Sequence, residues 1–244
     1  WKKIVVRTES DFTDWQVDYF ASTYNFLMHA MSVSPSTLPT VNLPALSRTW
    51  FVGDSHTIGW AASCGSSVPK ICYIPGIQLI DIAQPLSNSK QQALSYALRL
   101  AARGDFIVFS LGEIDQRYYK AIALKRPNYA LMYWEKVRLF VRRAIERIAA
   151  LLPINLTPVF ILPNPPCIKD LSDEETALVL NLHEQFCAEL RQALASFGFQ
   201  VLEYDITFGS SIHLNAFCDG AHLKAEIYND LMCTVCDQLS QYSH

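Results

Sequence analysis

The sequence predicts an α/β fold built on a parallel sheet covered on both sides. Three observations lead there. From residue 49 onward, short apolar runs alternate with helical patterns, the order that produces βαβ units. The run Asp105–Leu111 (DFIVFSL) is uninterrupted and apolar, as in strands buried on both faces. Turn residues close the runs at Gly53-Asp54-Ser55, Pro75-Gly76 and Pro163-Asn164-Pro165-Pro166.

In order, the elements read as follows. Residues 1–48 form an N-terminal extension: a short strand at Ile4–Val6, an aromatic-rich helical pattern from Asp11 to Met31, and a linker with Pro35, Pro39 and Pro44. Residues 49–244 form the main domain. Thr49–Gly53 is a buried strand that ends at a serine turn, and Thr57–Ala62 begins a helix. Ile71–Ile74 is a second strand. Lys90–Arg103 is a helix with Leu94, Ala97, Leu98 and Ala101 on one side. The third strand, Asp105–Leu111, is followed by a long polar and aromatic loop over 112–129. Tyr133–Leu152 is a helix stopped near Pro153. Pro158–Leu162 is a strand, and Asp173–Phe197 a helix with Ser172 as its cap and Gly198 as its stop. Val201–Tyr204 is the fifth strand, and Ala225–Leu239 the last helix.

Composition excludes several function classes. Of 244 residues, 50% are apolar and 18% charged, so a substantial core can form. The net charge is −3, and no basic stripe with interleaved aromatics is present, which argues against a nucleic-acid partner. Arg138 to Arg147 reads as the polar face of a helix. Seven cysteines, odd in number and scattered, suggest no disulfide framework and point to a reducing, cytoplasmic setting. Cys233-Thr-Val-Cys236 has redox spacing but lies in an amphipathic helical pattern and reads as buried thiols. No cofactor or metal site is expected. No run of about 18 apolar residues is present, so no membrane span is expected. Starting at Trp1 without a methionine, the chain is expected to be a fragment or a processed product.

The residues that carry chemistry are polar and lie at strand ends. Ser55 follows a strand and precedes a helix, where a hydroxyl is exposed and backbone N–H groups face a developing negative charge. The same tetrapeptide, Gly53-Asp54-Ser55-His56, also fits a plain turn with a capping serine. A serine nucleophile needs a base, and the base an orienting partner. Among six histidines, His222 is favoured because Asp219-Gly220-Ala221-His222 sets a carboxylate three residues before an imidazole. Alternatively, Asp219 caps the last helix and His222 is a first-turn residue. His56 adjoins Ser55, but neighbouring turn side chains diverge, so it is expected to shape the pocket rather than act as the base. His29 and His183 lie on helical patterns and read as structural.

Taken in order, Gly53-Asp54-Ser55, Gly76, Gly112-Glu113-Ile114-Asp115 and Asp219-Gly220-Ala221-His222 resemble the SGNH/GDSL hydrolase superfamily. The resemblance implies a flavodoxin-like three-layer α/β/α sandwich with a five-stranded parallel sheet. It also implies an enzyme that hydrolyses or transfers acyl esters, often acetyl groups on carbohydrates. Ser55 would be the nucleophile, His222 the base and Asp219 its orienting acid. The N–H groups of Ser55 and Gly76 would be oxyanion donors, with Asp54 and Gly112 in the same oxyanion and substrate-binding set. The third block departs from the family's Gly-x-Asn-Asp: Ile114 stands where an asparagine usually donates. Loss of one such donor costs about 10²–10³ in kcat. Arg117 is the candidate substitute, or else an ion-pair partner of Glu113 or Asp115. The partner is expected to be a small-molecule or carbohydrate acyl ester. A carbohydrate O-acyltransferase, or a non-catalytic carbohydrate-binding domain, are the other readings. Tyr118, Tyr119, Tyr129, Tyr133 and Trp134 read either as a sugar-stacking surface or as core.

Overall fold

The computed structural model describes residues 48–62, 70–86, 88–101, 106–153, 156–168 and 170–203. From the C-terminal part it describes 222–223, 227–228, 231, 234, 237–238 and 241. The expectations for residues 1–47, for Asp219 and for Cys233 and Cys236 lie outside the described residues.

Five parallel strands form one sheet: β1 (Thr49–Gly53), β2 (Lys70–Tyr73), β3 (Phe106–Ser110), β4 (Thr157–Ile161) and β5 (Gln200–Leu202), in the order β2-β1-β3-β4-β5. The helices are α1 (His56–Ala62), α2 (Leu79–Ala83), α3 (Ser89–Leu100), α4 (Glu113–Lys125), α5 (Pro127–Leu151) and α6 (Asp173–Ser196). Helical residues also occur at 227–228, 231, 234, 237–238 and 241. Right-handed crossovers put α1 on one face and α2 to α6 on the other, because the chain steps left once, from β1 to β2, and right thereafter. Tyr228 packs on Gly59 and Trp60 of α1, which adds the C-terminal helical residues to that face. This is the three-layer α/β/α sandwich expected from the sequence.

β3 is the central strand and is buried at all five positions. Phe109 meets Phe160 at 6.1 Å and Phe199 at 6.0 Å. Apolar side chains of α5 and α6, among them Val141, Ile145, Phe186 and Leu190, complete this core. β2 is an edge strand, and its Ile71 is half exposed. Ser172 caps α6 as expected. Its hydroxyl accepts from the Glu175 N–H at 3.2 Å, while the Glu175 carboxylate takes the Ser172 N–H at 2.9 Å.

Residues 112–129 are not a loop. They form α4 and the first turn of α5, which starts at Pro127 rather than Tyr133. The buried face of α4 is polar: Glu113, Asp115 and Gln116 lie inside with Tyr119 and Ala123. A helix that buries carboxylates and an amide has no apolar stripe from which to read its period. Pro127 starts a helix because its missing N–H is one that the first turn leaves unpaired anyway. The short α2 was also not expected, since five residues span little more than one turn and show no repeat of a helical pattern. Asp115 fixes it by accepting the N–H groups of Leu79 at 2.8 Å and Ile80 at 3.3 Å.

β1 and β3 end side by side, with Gly53 paired to Ser110. A Cβ on Gly53 would lie 2.0 Å from the Ser110 carbonyl oxygen and 2.8 Å from its carbon. Both obstacles are backbone and cannot swing aside. Gly53→Ala is therefore expected to cost about 3 kcal/mol, at the upper end of overpacking, and to part the two strand ends. Urea denaturation measures this, and an unchanged midpoint would mean that β1 and β3 are not so close at this point.

Candidate active site

In a sheet of order 2-1-3-4-5, the chain reverses direction between β1 and β3, and the carboxyl ends of those strands open a crevice. Ser55 follows β1 there, and Gly112 follows β3 as the residue before α4, with φ +98°. Ser55 is 2% exposed, and its Oγ lies 2.7 Å from Nε2 of His222, which is 3% exposed. The two residues are 167 positions apart in sequence. The tertiary fold alone makes this contact, between a hydroxyl and a ring nitrogen that can accept its proton.

Asp54 directly precedes the serine and is 1% exposed. Its Oδ1 accepts the His56 N–H at 3.0 Å, and its backbone carbonyl accepts the Thr57 N–H at 3.1 Å and the Thr57 hydroxyl. This turn directs the chain from β1 into α1. Burial pushes the Asp54 carboxyl up to about 7; the His56 N–H works against that, and the neighbouring Glu113 charge adds to it. Burial likewise raises Asp115 to about 7, opposed by the N–H groups of Leu79 and Ile80.

Gly76 sits in the turn after β2 with φ +63°. Its carbonyl takes the Lys90 ammonium at 2.6 Å, and the same ammonium pairs with Asp81 at 2.7 Å. Arg117 lies one helical turn beyond Glu113 and pairs with its carboxylate at 3.2 Å. The Arg117 side chain is 35% exposed and that of Glu113 is 6% exposed. Ile114 is partly buried. Tyr119 is buried and stacks with the partly buried Trp134 at 5.3 Å and Tyr133 at 5.9 Å, while Tyr118 is 61% exposed. Tyr119 is thus core, and Trp134 and Tyr133 pack against its edge.

Asn164, Gln116 and Tyr228 were not singled out from sequence; His56, expected to shape the pocket, meets two of them. Its Nδ1 meets the Tyr228 hydroxyl at 2.8 Å and the Asn164 amide nitrogen at 2.9 Å, and its ring stacks on that of His222 at 4.9 Å. Asn164 is 3% exposed and lies beyond β4, where a polar residue framed by Pro163 and Pro165 was the available signal. Its carbonyl accepts the Gln116 amide at 3.1 Å, and the Gln116 oxygen takes Nδ1–H of His183 at 2.7 Å. His183 is thus buried in a polar network on α6. Among the described residues, no group of three or more His, Cys, Asp or Glu side chains is placed to hold a metal ion. Among them, no helix is long and apolar enough to cross a membrane.

No family model and no curated protein matches the chain. Solved structures do. A protein of Slackia heliotrinireducens described as a candidate SGNH hydrolase aligns with a TM-score of 0.50 at 16% identity, over 78% of this chain and 97% of that one. A candidate platelet activating factor from Streptococcus pneumonia aligns at 0.46 and 16%, over 89% and 90%. At 16% identity the first likeness is one of fold, and the fold of this chain is that of an SGNH hydrolase.

Proposed function

We propose that the chain is a serine-dependent ester hydrolase acting on small acyl esters, with O-acetyl groups of a carbohydrate as the first substrate class to test. The buried 2.7 Å contact between Ser55 Oγ and His222 Nε2 carries this reading. Ser55 Oγ attacks the ester carbonyl carbon as its proton passes to His222. The tetrahedral intermediate collapses, and the leaving alkoxide takes that proton. Water, deprotonated by His222, then frees the acyl group as a carboxylic acid and restores the serine. Asp219 is assigned the orienting carboxylate. The N–H groups of Ser55 and Gly76 are assigned to the oxyanion, beside Gly112. Turnover of p-nitrophenyl acetate, compared with Ser55→Ala, tests the reading. Fluorophosphonate labelling of Ser55 tests it independently of substrate choice. Adding a sugar acceptor separates transfer from hydrolysis.

Ile114 favours a second reading, a carbohydrate-binding domain without turnover. It predicts sugar binding together with a Ser55 that no fluorophosphonate labels.

Arg117 is held by Glu113 and remains partly exposed. It is therefore assigned to an anionic group on the substrate rather than to the oxyanion. Arg117→Ala is expected to lower kcat/KM about fivefold on a succinyl-type ester, through KM, the size of one exposed ion pair of about 1 kcal/mol. The rate on a neutral ester should change less than threefold, against the 10² or so expected for a lost oxyanion donor. Full rates on both esters would exclude Arg117 from substrate binding.

A further inference from the structure

We infer that Lys90 is a positioning residue: its ammonium, held by Asp81, fixes the turn that presents the Gly76 N–H to the oxyanion. This rests on the hydrolase reading of Ser55, with Gly76 as a donor. Ile74, Pro75, Gly76 and Ile77 form that turn, closed by the Ile77 N–H on the Ile74 carbonyl at 3.2 Å. Proline followed by a glycine at φ +63° is the pattern of a type II turn. The entry of the turn is tied to the site, because the Ile74 N–H donates to the Gly53 carbonyl at 2.8 Å, two residues before Ser55. Glycine has no side chain to limit its rotation, so the direction of the Gly76 N–H follows from what holds the groups around it.

Lys90 holds the exit. Its Nζ donates to the Gly76 carbonyl at 2.6 Å and to Oδ2 of Asp81 at 2.7 Å. The same Oδ2 accepts the Gln78 N–H at 3.0 Å. One carboxylate thus fixes both the start of α2 and the ammonium that reaches back to the turn. Asp115 secures this segment from α4, through the N–H groups of Leu79 and Ile80. Lys90 is the second residue of α3, and no acidic residue occupies the first turn of that helix. A cation there opposes the helix dipole. A lysine placed against that preference and bonded to a turn carbonyl is a local conflict of the kind found at functional positions. The side chains of Lys90 and Asp81 are 34% and 20% exposed, and an ion pair so placed adds little to stability. Ammonium and carboxylate together bring no net charge to the turn, so what the pair contributes is geometry.

The test uses the full chain and p-nitrophenyl acetate. Lys90→Met keeps the aliphatic stem and removes the bond to the Gly76 carbonyl. It is expected to lower kcat about tenfold, less than the 10² or so of a donor lost outright, because the N–H is displaced rather than removed. KM should stay within about twofold, since the oxyanion forms only after the ester has bound. Fluorophosphonate labelling of Ser55 places negative charge on the same donors and should slow by a similar factor. Lys90→Arg restores a charged donor and should recover most of the lost kcat. The amide ¹H–¹⁵N signal of Gly76 reads the turn without turnover, and Lys90→Met should shift or broaden it. Equal turnover by wild type and Ser55→Ala would overturn the hydrolase reading and this role with it. If Ser55 is needed for turnover but Lys90→Met keeps wild-type kcat and an unchanged Gly76 signal, the positioning role is wrong and the hydrolase reading stands. A loss carried by KM alone would place Lys90 on the substrate and would also overturn the positioning role.

Discussion

Ser55→Ala is expected to lower kcat on p-nitrophenyl acetate by about 10⁴–10⁶-fold, leaving a rate about 10³–10⁴ above uncatalysed hydrolysis. The size follows from the mechanism. Without Oγ there is no acyl-enzyme, and His222 has no hydroxyl to deprotonate. What remains is the site's grip on the ester and its oxyanion donors. His222→Ala should fall to nearly the same level, and the double variant no lower than either, because the two side chains act as one unit. That non-additivity is the informative result. Two independent contributions would multiply, whereas a nucleophile and its base share a single loss. Stability should change little in Ser55→Ala, since one neutral hydrogen bond is worth about 1 kcal/mol net. A wild-type rate equal to that of Ser55→Ala, with no fluorophosphonate labelling, would leave the fold without this chemistry.

The strands were legible because parallel strands covered on both faces read as continuous apolar runs; Thr49–Gly53 was read to the residue. The start of α6 was legible from Ser172 and Asp173, and its end from Gly198, whose φ is +75°. Ser55 and His222 are paired in the sequence only through the family resemblance; as segments they are legible as polar residues at strand ends. Nothing local in either segment records a neighbour 167 positions away. α4 looks like a loop in the sequence for the reason that makes it useful. Its inner face carries Asp115, which holds α2, and Gln116, which holds Asn164. Buried polar groups look like surface until their partners are known. Asn164 and Tyr228 belong to this class. Each is an ordinary residue in its own segment and meets His56 only in the fold.

Asp54, one of two carboxyls that burial raises to about 7, supplies a large expected effect of pH. In the fold its carboxyl is raised from 3.8 to about 7 by burial, with the His56 N–H opposing the shift and the Glu113 charge reinforcing it. Oδ2 has no hydrogen-bond partner among the described residues. The folded value lies above the unfolded one, so the fold favours the protonated acid. The stability this contributes is complete below about pH 4 and is lost as pH rises through about 7. A shift of about three units corresponds to roughly 4 kcal/mol. Asp54→Asn keeps an oxygen for the His56 N–H and cannot ionise. At pH 5 it should exceed the wild type in urea by roughly 1.5 kcal/mol, a little over one of those units. At pH 8 it should exceed the wild type by roughly 4 kcal/mol, all three of them. Activity should follow the same group. A neutral Asp54 beside Ser55 leaves the developing oxyanion unopposed, whereas an ionised one repels it. Wild-type kcat should therefore decline above about pH 7 relative to Asp54→Asn. A wild-type advantage in urea that grows with pH would instead mean that Asp54 is a paired carboxylate in the fold, and both expectations would fail together.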